Sequence, residues 1–283
     1  MTLASTLRFI MQHPMNRQEP FSAVARFAWW QIVSRIRSEV EFEWINGSKL
    51  ITKRGMTGAT GNIYCGLHEY VDMSFLLHLL RPEDLFVDVG ANVGSYTILA
   101  SAVCGARSIS IEPDPQTAKY LSQNISANEL DRRCRVAVSA VGNDEGFISF
   151  TVGKDTTNQV SKSHYEPSQM VPLTRLDTVL RGQSPTLVKM DVEGFEMEAL
   201  SGAKTMLSRP GLKGIIIENM DPNVVSVLNF YGFFRHWYDP IERQLSTCKL
   251  EFESNNGIFV RDISSANARL TNSKRRIYRG QVV

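Results

Sequence analysis

Four acidic residues stand where an apolar run stops: Asp88 after Leu85-Phe86-Val87, Glu112 after Ile109-Ser110-Ile111, Asp191 after Leu187-Val188-Lys189-Met190, and Glu218 after Ile215-Ile216-Ile217. In an open parallel sheet, ligands bind in the crevice beyond the carboxyl ends of the strands, so carboxylates at four strand ends point to one crevice. Asp88 leads into the turn Gly90-Ala91-Asn92-Val93-Gly94, and a helix-like run follows from Ser95 to Ala102. Gly90 lets the chain turn where a Cβ would clash, and Gly94 lets the helix start lie close to strand or ligand. The spacing is G-x-x-x-G, not the G-x-G-x-x-G of a dinucleotide site. A carboxylate at Asp88 would repel a pyrophosphate but suits a cationic ligand, such as the amino group and sulfonium of S-adenosylmethionine. Glu112, ending the next strand, is placed to accept both hydroxyls of a ribose. Lys189 and Asp191 share one face of their strand by the two-residue period, with Glu193 two residues on.

The elements that must position these groups alternate strand and helix. Strands are expected over 85–89, 107–112, 134–138, 186–191, 213–218, 232–238 and 256–261, with helices over 69–80, 117–130 and 195–208 between them. The short spacing before the last strand makes it antiparallel. The pattern predicts an α/β fold: a Rossmann-like, doubly wound, mostly parallel seven-stranded sheet with a final antiparallel strand. Gly146–Val152 reads as an added strand, and the polar stretch 153–169, with Asn158, Ser161 and His164, as a lid or substrate loop. Ahead of the sheet, Phe21–Arg37 reads as an amphipathic helix, and the alternation around Asn46-Gly47 as a hairpin. Gly55–Gly66 reads as a loop. The domains are thus an accessory helix and hairpin over 1–62, a cofactor-binding domain over 63–263 and a polar, basic, solvated tail over 264–283.

Lys and Arg number 31 against 29 Asp and Glu, a net charge of +2 that supplies no global field for nucleic acid. Cys65, Cys104, Cys134 and Cys248 form no C-x-x-C pair, which suggests a reducing compartment over a disulfide framework or zinc site. No apolar run reaches the roughly 18 residues of a bilayer span. Arg8, Gln12, His13 and Arg17 interrupt the start of the chain, so no secretory leader is read there and a cytoplasmic location is expected. The basic and aromatic mixture of residues 21–37 admits two uses, packing on the main domain or a second subunit, or peripheral contact with a membrane surface.

With these motifs in view the chain resembles the FkbM family of S-adenosylmethionine-dependent methyltransferases over about Ile63 to Arg261. The resemblance rests on Glu69, Phe86-Val87-Asp88-Val89-Gly90-Ala91-Asn92-Val93-Gly94, Ile111-Glu112-Pro113, Leu176-Asp177, Val188-Lys189-Met190-Asp191-Val192-Glu193-Gly194-Phe195-Glu196 and Ile215-Ile216-Ile217-Glu218. It implies a class I methyltransferase fold and methyl transfer to a hydroxyl oxygen of a small molecule or a sugar in a glycan. It implies that Glu69, Asp88, Gly90, Ala91, Asn92 and Gly94 serve the methionine side of the cofactor. Glu112 and Pro113 then serve the ribose, and Val141 faces the adenine.

A neutral hydroxyl acceptor needs its proton removed by a side chain or polarised by a metal. Asp191 is the first candidate base and Glu193 the next, while Lys189 either orients the acceptor or pairs with an acid. His164 and His236 are alternative bases. Asp191 with Glu218 can also ligate one magnesium ion through oxygen, although Asn219 stands where related metal-using enzymes carry a second acid. Two further readings are a dinucleotide-dependent oxidoreductase, which lacks its glycine motif, and a binding protein that keeps the fold without catalysis.

Overall fold

In the computed structural model, which describes residues 3–151, 159–160, 167–252 and 254–283, the chain opens with two helices, α1 (Leu3–Gln12) and α2 (Pro20–Ile36). The expected hairpin follows as β1 (Val40–Glu43) and β2 (Lys49–Thr52), with Val40 opposite Thr52. Asn46 and Gly47 take positive φ, 54° and 76°, at its reversal. Its outer strand is tied to the next layer, because Asn124 and Asn128 accept from the backbone amides of Ile51 and Lys49.

The stretch expected as a glycine-rich loop is instead a helix, α3 (Thr57–Cys65), and residue 62 lies inside it. Helix propensity opposes this, since each glycine costs about 1 kcal/mol relative to alanine. Packing decides it: residues 59–63 and Cys65 are buried, and a Cβ on Gly61 would lie 2.4 Å from the His68 ring. Glycine is what admits that ring. Next comes α4 (Tyr70–Leu79), whose whole run from Val71 is buried.

The main sheet runs β12-β11-β13-β10-β9-β3-β4-β5. Its centre is parallel: β3 (Leu85–Val89), β4 (Arg107–Ile111), β5 (Cys134–Ala137), β9 (Leu187–Met190) and β10 (Gly214–Ile217). β13 (Gly257–Val260) runs antiparallel between β10 and β11 (Phe234–Asp239), the reversed strand expected from the sequence. An eighth strand, β12 (Gln244–Ser246), pairs with β11 and extends the edge. The two-residue period sorts the strands' side chains between two cores. Phe86, Leu187 and Ile216 face the helices α4, α5 (Ser95–Ile98), α6 (Pro115–Ala127) and α11 (Ile263–Thr271). Val87, Val188, Ile215 and Ile217 face α7 (Leu176–Leu180), α8 (Glu196–Ser201), α9 (Lys204–Leu207) and α10 (Pro222–Phe230).

Two expectations are corrected, and a third, the added strand, is met outside the main sheet. The helix expected over 195–208 breaks between α8 and α9, where Gly202 abuts the backbone: its Cβ would fall 1.9 Å from the carbonyl oxygen of Gly142. The added strand, β7 (Gly146–Thr151), leaves the main sheet and pairs with β8 (Ser168–Thr174), which also holds β6 (Ala140–Val141). Asn158, Ser161 and His164, with most of the expected lid, lie outside the described residues. The tail expected to be solvated is built into the domain: α11 buries Ala266 and Leu270, and the hairpin β14 (Ile277–Tyr278) and β15 (Gln281–Val282) leads to a buried Val283. Two of its arginines cap α4. Arg269 donates to the carbonyl of Leu79 and Arg276 to that of Leu77, oxygens a helix end leaves unpaired.

The chain departs from β3 to β4 on one side and later to β9 on the other, so the sheet's switch point lies beside β3. There the turn after β3 meets the end of β9. Gly90 has φ of 77°, and a Cβ on it would lie 1.8 Å from the carbonyl oxygen of Asp191. Its amide and that of Ala91 both donate to the carbonyl of Ile111, which fastens the turn to β4. Gly90→Ala should therefore lower the thermal midpoint by about 5 °C or more. Gly47→Ala has nearly the same φ, 76°, but meets nothing within 4 Å, and should cost only about 1 kcal/mol. Equal losses in a melting experiment would show that the close approach is not what demands glycine.

Candidate active site

At the switch point the structure opens into a cleft of about 1320 Å³. Asp88, Glu112, Asp191 and Glu218 all line it, so the four strand-end acids share one space. Glu69, Gly90, Ala91, Asn92, Pro113, Val141, Lys189 and Glu193 line it as well. Gly94 does not; it has φ of 92° and its Cβ would lie 2.5 Å from a methyl of Leu121, so it serves the packing of the turn on α6. His236 is outside this cleft, with Nδ1 held 2.8 Å from the Phe234 carbonyl, which removes it as a base here.

The turn is organised by carboxylates. Thr97 Oγ1 donates to Asp88 Oδ2 at 2.7 Å, and Asp88 is pushed up to about 6, chiefly by burial. Glu112 Oε2 accepts from the Asn92 amide and Oε1 from the Asp114 amide, both at 2.9 Å. Asn92 sits at φ 50°, a conformation asparagine tolerates better than most residues. Burial pushes Glu112 up to about 7, against the pull of those two amides.

At the end of β9, Lys189 Nζ lies 2.6 Å from Asp191 Oδ2, so the lysine pairs with an acid. It also stands 4.8 Å from the centre of the Tyr96 ring. Burial alone would lower the Lys189 pKa; the charges of Asp191, Glu69 and Asp88 outweigh that and raise it. Burial likewise opposes ionisation of Asp191, but the Lys189 ammonium wins and holds it below its ordinary value. Glu218, at the open side of the cleft, is pushed up to about 8 by desolvation and by the charge of Asp191. Oxygens of Asp191, Glu193 and Glu218 lie within 4.8 Å of one another. The arrangement can keep one carboxyl group protonated beside another that stays charged.

Several lining residues carry no motif. Asp72, fully buried on α4, accepts from Ser254 and from Asn256, whose amide also reaches Glu69. Burial, then the charge of Glu69, pushes Asp72 up to about 7. A sequence signal existed: an acid about one turn after Glu69 in a mostly apolar helix. His13, Arg17 and His68 also line the cleft. His13 Nε2 lies 3.1 Å from the His68 carbonyl, and burial brings His13 down to about 4. These residues arrive because α1 and α3 fold over the cleft, which no local pattern announces.

Residues 88–242 match the family model of the methyltransferase FkbM domain. A curated relative, the hexuronic acid methyltransferase AglP of Haloferax volcanii, is 28% identical over 162 residues, which is 54% of this chain and 64% of the relative. The chain thus covers just under two thirds of that relative's length. Solved structures that match include an rRNA methylase from Streptococcus thermophilus, with 14% identity, a TM-score of 0.39 and coverage of 66% of this chain and 91% of that one. Another is an RNA methyltransferase from Salinibacter ruber in complex with S-adenosyl-L-homocysteine, with 14% identity, a TM-score of 0.36 and coverage of 67% and 86%.

The raised pKa of Glu218 has a consequence for stability. Folding raises the Glu218 pKa, so the native state binds that carboxyl's proton more tightly than the unfolded chain. Stability then falls as pH climbs from the ordinary glutamate range through about 8. Glu218→Gln removes that loss. The melting temperature of the variant minus that of the wild type should rise steadily between about pH 5 and about pH 9; a flat difference would mean that the fold does not raise the Glu218 pKa.

Proposed function

Because the chain belongs to the FkbM methyltransferase family, we propose that it transfers a methyl group from S-adenosylmethionine to a hydroxyl oxygen of a small molecule, with a sugar residue as the favoured acceptor. The observation that carries this reading is the convergence of Glu112 and the Lys189–Asp191–Glu218 cluster on one cleft. The hexuronic acid methyltransferase supports the sugar acceptor.

The residues fit the cofactor by their chemistry. Each Glu112 oxygen takes one backbone amide, which leaves acceptor capacity toward the cleft for a vicinal diol. Asp88, Glu69 and the Gly90–Asn92 turn form an acidic wall suited to the methionine ammonium, and Pro113 and Val141 an apolar wall suited to adenine. When bound, S-adenosylmethionine supplies a sulfonium-activated methyl carbon. The protein's task is to place an acceptor oxygen in line with it and to take the hydroxyl proton. Asp191 is the group we assign to that proton. Lys189 fixes its Oδ2, which leaves Oδ1 to take the acceptor's proton, and Glu218 beside it is placed to pass that proton to solvent. Glu193 keeps the acidic rim.

The magnesium expected on Asp191 and Glu218 fits less well. Lys189 already places a cation on Asp191 Oδ2, and burial with the neighbouring Asp191 charge favours a protonated Glu218, a poor metal ligand. A chelator should therefore leave turnover unchanged.

Titration calorimetry with S-adenosylmethionine and S-adenosylhomocysteine tests the cofactor; absence of heat with both would sink the reading. Asp191→Asn should keep that heat while turnover on a panel of neutral and uronic sugars falls by about 10²–10⁴-fold. Glu112→Gln should weaken cofactor binding by about tenfold or more. Equal affinity in both variants and wild type would contradict the role given to Glu112.

A further inference from the structure

Helix α2 has more apolar surface than the fold covers. Its sequence contains no acid and has apolar side chains on every side, a pattern that belongs to a helix buried all round. One side is covered: Ala23 and Trp30 are buried, and Phe27 and Val33 pack on α3. The other is open. Phe21, Trp29, Ile32 and Ile36 are 85%, 46%, 63% and 77% exposed, and with Ala25 between them they recur three and four residues apart as one stripe. On α1, Leu3 and Phe9 are exposed as well.

Charge identifies the partner. Between Leu3 and Ser38 the exposed ionisable side chains are Arg8, Arg17, Arg35 and Arg37 against Glu19 alone. Arg26 is turned inward onto Asn16 and the Tyr64 carbonyl, and acids resume only at Glu39 on the hairpin. A chain with net charge of +2 over its whole length thus concentrates its excess here. A second copy packed on this face by two-fold symmetry would bring like arginines together. An anionic bilayer answers both features, taking the apolar stripe at its acyl boundary and the arginines at its headgroups.

We propose that the α1–α2 face docks on an anionic lipid surface, with both helices lying in the interface plane. No helix among the described residues is long and apolar enough to cross a membrane, so the contact is peripheral.

Co-sedimentation of the full chain with vesicles tests this, using phosphatidylcholine alone and phosphatidylcholine mixed with phosphatidylglycerol. The wild type should pellet with the anionic vesicles and be released by salt. Phe21→Ser/Ile32→Ser/Ile36→Ser, at exposed positions that leave the melting temperature unchanged, should lose about tenfold or more of that binding. Arg35→Glu/Arg37→Glu should do the same. Wild type that stays in the supernatant with anionic vesicles overturns the proposal, as does equal binding by the variants. So does a wild-type dimer that the triple serine variant splits, because the stripe is then covered by a second copy. Calorimetry with S-adenosylmethionine on the same proteins separates the two readings, since cofactor binding does not depend on the stripe.

Discussion

Carboxylates at the ends of adjacent parallel strands bring like charges together in a low-dielectric cleft, and the fold tolerates this because Lys189 is buried among them. Its ammonium stands 2.6 Å from Asp191 and acts on Glu69 and Asp88 as well. An unpaired charge in such a place would carry a desolvation cost of several kcal/mol. With the lysine present, Asp191 stays ionised while Glu218, Glu112 and Asp88 are pushed toward neutrality. The cleft therefore holds a graded set of carboxyl groups and not a uniform acidic wall. Groups whose pKa values are driven apart by their surroundings can divide acid and base roles between them.

The same crowding explains the backbone around the site. The Gly90 turn can approach the Asp191 carbonyl only without a Cβ, and that approach sets where the end of β9 lies relative to the loop. Glu112 closes the other side by accepting two backbone amides. Cofactor turn, ribose carboxylate and candidate base are thus one connected piece of structure. A second connection runs from Lys189 through Glu69 and Asn256 to Asp72, and joins the reversed strand β13 to the cleft floor.

The far wall has a different origin. α1 and α3 supply it, and they are held by a glycine that admits the His68 ring and by Arg26 reaching the Tyr64 carbonyl. The accessory layer is therefore part of the cleft. It also leaves an exposed apolar stripe on α2, the kind of surface that marks an interaction site.

What the sequence by itself determined is the part encoded over short distances. Apolar runs, their terminal acids and the glycine spacing predict β3, β4, β9 and β10, the turn after β3 and the convergence of four acids, because strand period and turn chemistry are local. Tertiary structure decided the rest. α3 is a helix against its own propensity, the terminal arginines cap α4 instead of meeting solvent, β7 leaves the main sheet, and Asp72 and His13 reach the cleft. Each depends on contacts between residues far apart in the chain, whose burial and hydrogen bonds outweigh a local preference of about 1 kcal/mol per residue.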